Sequence, residues 1–181
     1  WPLVTKSDGT KFGKTADGAV WLDPSRTSPY QFRQFWMQMA DADVVKYLPQ
    51  FSLASLDETN ALIAEHNADP GKRVAQRVLA QEMTALVHGA AAAADAAAAA
   101  DILFGGDPTT ASLEALLVVA GEVPTTDVGR QELDDTFGLL ARAQVVASTS
   151  EARRTIDQKG LRVNGSVLEK DETLASKGLL H

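Results

Sequence analysis

From Ser28 onward the apolar residues fall at helical spacing. Ser28-Pro29 supplies an N-cap and a first helical residue, and Phe32, Phe35, Trp36 and Met39 follow at i, i+3, i+4 and i+7. This predicts a helix with one apolar face, ending near Ala40. Asp41 or Asp43 caps a second helix that turns Val44, Leu48 and Phe51 inward. Ser55 caps a third, running to about Asn67 through Leu62 and Ile63. After Pro70-Gly71 the longest helix carries Val74, Val78, Leu79, Met83, Leu86 and Val87 to a stop at Gly89. The Ala-rich tract that follows has the highest helix propensity, and Gly105-Gly106-Asp107-Pro108 breaks the chain.

The pattern differs at both ends. Before Ser28 the chain is turn-rich, with Ser7-Asp8-Gly9-Thr10 and Asp17-Gly18 as turns and Val20-Trp21-Leu22 as a short strand before Asp23-Pro24. Trp1-Pro2-Leu3-Val4 reads as a strand entered from something upstream, which suggests a fragment. After about Thr125 a compact mixed module is expected. Leu133, Phe137 and Leu140 mark one short helix, and Ser148-Thr149-Ser150-Glu151 opens another through Ile156 to Gly160. Leu161 and Val163 then alternate into an Asn164-Gly165 hairpin turn, with Val167 beyond it.

Composition narrows the function classes. A chain of 181 residues with 45% hydrophobic and 23% charged residues is globular in type. It has no Cys, which removes disulfides, Cys-based zinc sites and thiol nucleophiles, and fits a reducing compartment. His66, His88 and His181 are too dispersed for a local metal site, so no metal site is expected and they read as surface or capping groups. The longest apolar tract, Ala90 to Ala100, is too short to span a bilayer, so no membrane partner is expected.

The net charge of -7 argues against an obligate nucleic-acid binder, but its distribution matters more. Residues 1–129 hold 9 Lys and Arg against 16 Asp and Glu, whereas residues 130–181 hold 8 of each. A neutral segment can still offer a basic face to phosphate.

Two clusters could carry chemistry. In Lys11-Phe12-Gly13-Lys14-Thr15 two ammonium groups flank a glycine that lets backbone approach an anion such as a polyphosphate. On spacing alone such a loop is more often a solvated turn. Arg153, Arg154, Lys159 and Arg162, joined by Arg142, could converge on an RNA backbone. By charge alone they read more readily as a solvated helix paired with Glu151 or Asp157. Tyr30, Phe32, Phe35 and Trp36 have the spacing of a core face more than of a base-stacking platform. Asp134-Asp135 reads as helix N-terminal charge.

The wider context of the first cluster resembles the bacterial tyrosyl-tRNA synthetases, which are class I aminoacyl-tRNA synthetases. Lys6 through Thr15, then Trp21-Leu22-Asp23-Pro24 and Ser28 through Trp36, look like the end of that family's catalytic domain. Leu86-Val87-His88-Gly89 matches the end of its long helix. Ser150 through Ile156 with Val163-Asn164-Gly165 resembles its S4-like RNA-binding module. The likeness is weakest over the Ala tract and residues 107–130.

The resemblance implies a mainly α chain in three parts. Residues 1–27 would end a Rossmann-like catalytic domain and carry its signature loop, 28–124 would form an α-helical anticodon-binding domain, and 125–181 a partial α/β S4-like module cut short near His181. Lys11, Phe12, Gly13, Lys14 and Thr15 would be the ATP-binding signature loop, with Lys14 and then Lys11 catalytic, Gly13 permitting close approach and Thr15 hydrogen-bonding. Arg142, Arg153, Arg154, Lys159 and Arg162 would contact tRNA, Arg153 at the family's matching arginine. ATP with Mg2+, tyrosine and tRNA(Tyr) are then the expected substrates and partners of a cytoplasmic, homodimeric whole enzyme. The family's second ATP motif, His-x-Gly-His or His-x-Gly-Asn, and its tyrosine pocket are not in these residues. The chain alone is therefore expected to be inactive in tyrosine activation. The alternative is a non-catalytic S4-type RNA-binding protein, with a dimerisation scaffold as a further possibility.

Overall fold

The computed structural model describes residues 4–15 and 18–177. Of the expected features, residues 1–3 of the entry strand, Asp17 of a turn and His181 lie outside them. The chain folds as two compact units, Trp1–Ala100 and Asp101–His181, and is mainly helical. The boundary falls in the last turn of a helix, so the expected 28–124 domain runs across it.

The first unit opens with β1 (Lys14–Thr15) paired antiparallel to β2 (Gly18–Ala19). Val20-Trp21-Leu22 is not a strand. Val20 packs on the hydrophobic core, and the Trp21 N–H donates to the Thr27 hydroxyl at 3.0 Å, so this donor goes to a side chain instead of a ladder. Helix α1 (Pro29–Met37) starts at Ser28, whose hydroxyl accepts from the Gln31 N–H at 3.1 Å. It ends three residues before Ala40, because Ala40 is itself the N-cap of α2 (Asp41–Phe51). Neither expected Asp caps α2; Asp41 and Asp43 instead lie in its first turn, where their charge suits the helix dipole.

A Ser55–Glu58 capping box starts α3 (Leu56–Ala68). Helix α4 (Val74–His88) stops at Gly89 and packs on α1, α2 and α3. Phe32, Trp36, Val44, Tyr47, Leu48, Leu79 and Met83 form the centre of this core. A side chain such as fully buried Leu79 contributes about 1.5–3 kcal/mol. Helix α5 (Ala90–Leu103) is continuous through the Ala tract, with Ala93, Ala96, Ala99 and Ala100 buried along one face.

His66 corrects the surface reading. It is 0% exposed, and its Nε2 lies 3.3 Å from Asp41 Oδ1 without hydrogen-bond alignment. Gln76 Nε2 donates to the same carboxylate at 2.8 Å. His88 is half-buried with its ring edge-on to Phe32, and burial holds its imidazole below the ordinary value.

The second unit begins its regular structure with α6 (Leu113–Glu122), capped by Ser112. The single helix expected across Leu133 to Leu140 is divided into a 3-10 turn, Arg130–Asp134, and α7 (Thr136–Arg142). Asp135 divides them because its carboxylate accepts from the Gly138 N–H at 3.0 Å as the N-cap of α7. Helix α8 (Thr149–Asp157) is capped by Ser148 and ends with Lys159, not Gly160, in the left-handed region at φ 57°. The Asn164-Gly165 turn, at φ 48° and 78°, joins β3 (Arg162–Val163) to β4 (Ser166–Val167), which is the type I′ geometry that Asn-Gly favours. Leu140, Ala152, Ile156 and Leu168 form a core much smaller than that of the first unit.

Candidate functional site

Residues 4–15 and 18–20 form two antiparallel pairings in series, each called a hairpin. In the first, the Lys6 N–H donates to Thr10 O at 2.8 Å, Thr5 bridges Lys11, and the Phe12 N–H donates to Val4 O at 3.2 Å. Asp8 closes its turn by accepting from both the Thr10 hydroxyl and the Thr10 N–H, and these bonds hold its carboxyl below the usual range. In the second, Lys14 pairs with Ala19, and the Val20 N–H donates to Gly13 O at 3.1 Å.

Lys11, Phe12 and Gly13 are therefore the corner between the hairpins. Extended backbone alternates its side chains, so with Phe12 turned inward Lys11 faces out. Gly13 sits at φ 75° with open space where a Cβ would be, so its requirement is conformational. Lys11 is exposed and makes no ion pair with a described residue. Lys14 and Thr15 have their backbones on β1, but their side chains lie outside what the structure describes.

Phe12 was expected as part of an ATP loop; the structure places its ring in the aromatic core. It meets Phe35 at 5.4 Å, Trp36 at 5.5 Å, Tyr47 at 4.9 Å and Phe51 at 5.2 Å between centroids. Helix α2 also reaches the first hairpin. The Tyr47 hydroxyl and Lys46 Nζ both donate to Thr5 O, the latter at 2.7 Å, and the Ser7 N–H donates to Asp43 Oδ1 at 2.6 Å. Burial, and then the Asp43 and Asp8 carboxylates, push the Tyr47 phenol above its ordinary value, which keeps its donor proton in place. Beside this clamp is a cavity of about 470 Å3 lined by Lys6, Asp8, Phe12, Gln38, Asp43 and Tyr47. The clamp residues were not found from sequence, because nothing in Asp43-Val44-Val45-Lys46-Tyr47 marks a partner some forty residues away.

The cations of the second cluster have separate partners. Arg142 is held by Glu132 at 2.8 Å, and the Gly129 N–H and then this guanidinium keep the Glu132 carboxyl below its usual range. Lys159 pairs with Glu169 at 3.2 Å, and Arg162 Nη1 donates to Gly165 O at 2.9 Å. Arg153 lies over the Phe137 ring at 5.1 Å. Arg154 is exposed; its carbonyl accepts from the Gln158 N–H at 3.0 Å, and its guanidinium makes no ion pair with a described residue. Lys170, which sequence reasoning missed, pairs with Asp157 at 3.4 Å and shares with Phe137, Arg153 and Ile156 the lining of a cavity of about 280 Å3.

Among the described residues no group of three or more His, Cys, Asp or Glu could hold a metal ion, and no helix is long and apolar enough to cross a membrane.

The corner loop and the helices behind it lie in a region that a family model matches. The model, described as tRNA synthetases class I (W and Y), covers residues 1–105, and the chain belongs to that family of aminoacyl-tRNA ligases. Among the curated relatives, a tyrosine–tRNA ligase of Anaeromyxobacter dehalogenans is 47% identical over 99% of this chain and 44% of its own length. Tyrosine–tRNA ligase 2 of Enterococcus faecalis is 42% identical over 97% of this chain and 41% of its own length. A solved structure of a C-terminally truncated Coccidioides posadasii mitochondrial tyrosyl-tRNA synthetase matches 53% of this chain and 24% of that one at 42% identity, with a TM-score of 0.46. The chain thus spans less than half the length of the curated relatives it matches.

Proposed function

We propose that this chain is the part of a tyrosyl-tRNA synthetase that supplies the ATP signature loop and the tRNA-binding domains. The observation that carries the reading is Lys11-Phe12-Gly13-Lys14-Thr15 at an open corner of a chain 47% identical, over 99% of its length, to a tyrosine–tRNA ligase. In the whole enzyme the tyrosine carboxylate attacks the α-phosphorus of ATP. A carboxylate-oxygen bond to phosphorus forms, the bond to the bridging oxygen breaks, and pyrophosphate leaves with the electron pair. The adenylate then passes its tyrosyl group to tRNA(Tyr).

Negative charge grows on pyrophosphate as it departs. Ammonium groups from Lys14 and Lys11 that meet this charge mainly in the transition state lower the barrier instead of only tightening ATP binding. Gly13 lets its backbone N–H approach the same phosphates, and Thr15 adds a hydrogen bond. Mg2+ enters with ATP as part of that substrate.

Residues 1–27 belong, in this reading, to the end of a Rossmann-like domain, 28–124 to an anticodon-binding domain and 125–181 to an S4-like module whose Arg153, Arg154, Lys159, Arg162 and Arg142 face RNA. The whole enzyme is a cytoplasmic homodimer. The tyrosine pocket and the second ATP motif are not among these residues, so the 181-residue chain alone is inactive. The alternative of a non-catalytic RNA-binding protein is not favoured, because the family match covers the half that holds the loop.

The test is Lys14→Ala in the complete synthetase carrying this chain. Tyrosine-dependent pyrophosphate exchange should fall about 100-fold or more, with tRNA affinity within about twofold of the parent. Undiminished exchange would overturn the reading, as would full exchange by the isolated chain.

A further inference from the structure

We infer that Phe12, together with the α2 clamp of Tyr47 and Asp43, positions the signature-loop lysines for catalysis. The inference rests on the proposed function and assigns to helix α2 a part in the reaction.

Lys11 and Lys14 flank Phe12-Gly13, and a glycine in the left-handed region gives that corner little stiffness of its own. What fixes the corner comes from the helices. The Phe12 ring is seated on Phe35, Trp36, Tyr47 and Phe51, rings supplied by α1 and α2. Two residues of α2, Lys46 and Tyr47, donate to the one carbonyl of Thr5, the residue that bridges Lys11. A third, Asp43, accepts from the Ser7 N–H and is itself 4% exposed, so its carboxylate is committed to this contact. One helix therefore holds the strand before the corner, and an aromatic plug holds the corner itself. A displacement of about 1 Å in a catalytic group far from any other change is enough to cost orders of magnitude in rate.

Because the lysines act on charge that develops in the transition state, their displacement should lower kcat and leave the KM for ATP nearly unchanged. In the complete synthetase, Phe12→Ala should lower kcat of pyrophosphate exchange about 10- to 100-fold, with KM for ATP within about threefold. Phe12→Met, which refills the space with a flexible apolar chain, should recover most of that rate. Tyr47→Phe keeps the ring and removes only the hydroxyl donated to Thr5. It should lower kcat about threefold or more at an unchanged melting temperature.

The decisive measurement is the double variant. If Phe12 acts through Lys14, Phe12→Ala added to Lys14→Ala costs less than about threefold further, whereas simple loss of folded enzyme multiplies the two effects. Multiplied losses, a full kcat in both Phe12→Ala and Tyr47→Phe, or a change in KM alone would overturn the inference. Undiminished exchange in Lys14→Ala instead removes the reading beneath it, and that result is seen in the single variant before any positioning residue is changed.

Discussion

The two candidate clusters hold their described cations in different ways. In the first, the loop corner is anchored through an apolar residue, Phe12, and its neighbour Lys11 is left without an ion pair to any described residue. In the second, most of the expected RNA-facing cations are already engaged. Glu132 holds Arg142, Glu169 holds Lys159, and the Gly165 carbonyl holds Arg162. Arg154 stays open and Arg153 rests on an aromatic face. A cluster of cations in sequence is thus no measure of the cations available to phosphate, because a carboxylate ten residues away can close a pair that adjacent residues do not announce.

Core truncation is expected to have the largest effect on this contrast. Leu79→Ala in the first unit and Ile156→Ala in the second should each cost about 2–5 kcal/mol, read by amide hydrogen exchange within the unit concerned. Among the described residues the core cluster of the second unit has four buried apolar members against ten in that of the first, so Ile156→Ala should expose more of its own unit. Equal protection in both variants would contradict the difference in core size.

The cations should respond more modestly. Arg154→Ala should weaken tRNA binding several-fold and reduce the salt slope by about 1, whereas Arg142→Ala and Lys159→Ala should change either much less. Glu169→Gln, which frees Lys159, should tighten binding. Filter binding across a salt series measures all four, and a loss at Arg142 equal to that at Arg154 would break the comparison.

The smallest effect belongs to His88. Burial depresses its folded-state value below the ordinary 6.5, so the unfolded chain takes up the proton first. Its contribution is complete above that ordinary value and is lost as pH falls through the folded one. Melting temperatures at pH 7.5 and 5.5 should therefore differ more in the parent than in His88→Gln. Equal differences would show that His88 carries none of the acid sensitivity.

Much of the helical architecture was readable because it depends on local rules. Ser28-Pro29, the Ser55–Glu58 box, the Gly89 stop and the Asn164-Gly165 turn each act through neighbours within four residues. The misplaced elements are those where a distant or competing partner intervened. Val20 left the strand pattern for the core, Asp135 turned one expected helix into two pieces, and His66 went to the interior beside Asp41 instead of to the surface. The candidate site was legible as a string of residue types, while the clamp on α2 was not.

The sequence by itself determined the starts of α1, α3 and α8, the hairpin turn, the composition that excludes thiol chemistry, and the five-residue loop on which the family resemblance turns. Only the tertiary structure decided that Phe12 is an anchor, that Asp43 and Tyr47 hold the strand before the loop, and that Arg142 and Lys159 are occupied by carboxylates. The reason is range. Capping and turn preferences are set by bonds between near neighbours, whereas ring packing and ion pairing depend on which surfaces the folded chain brings within a few ångströms.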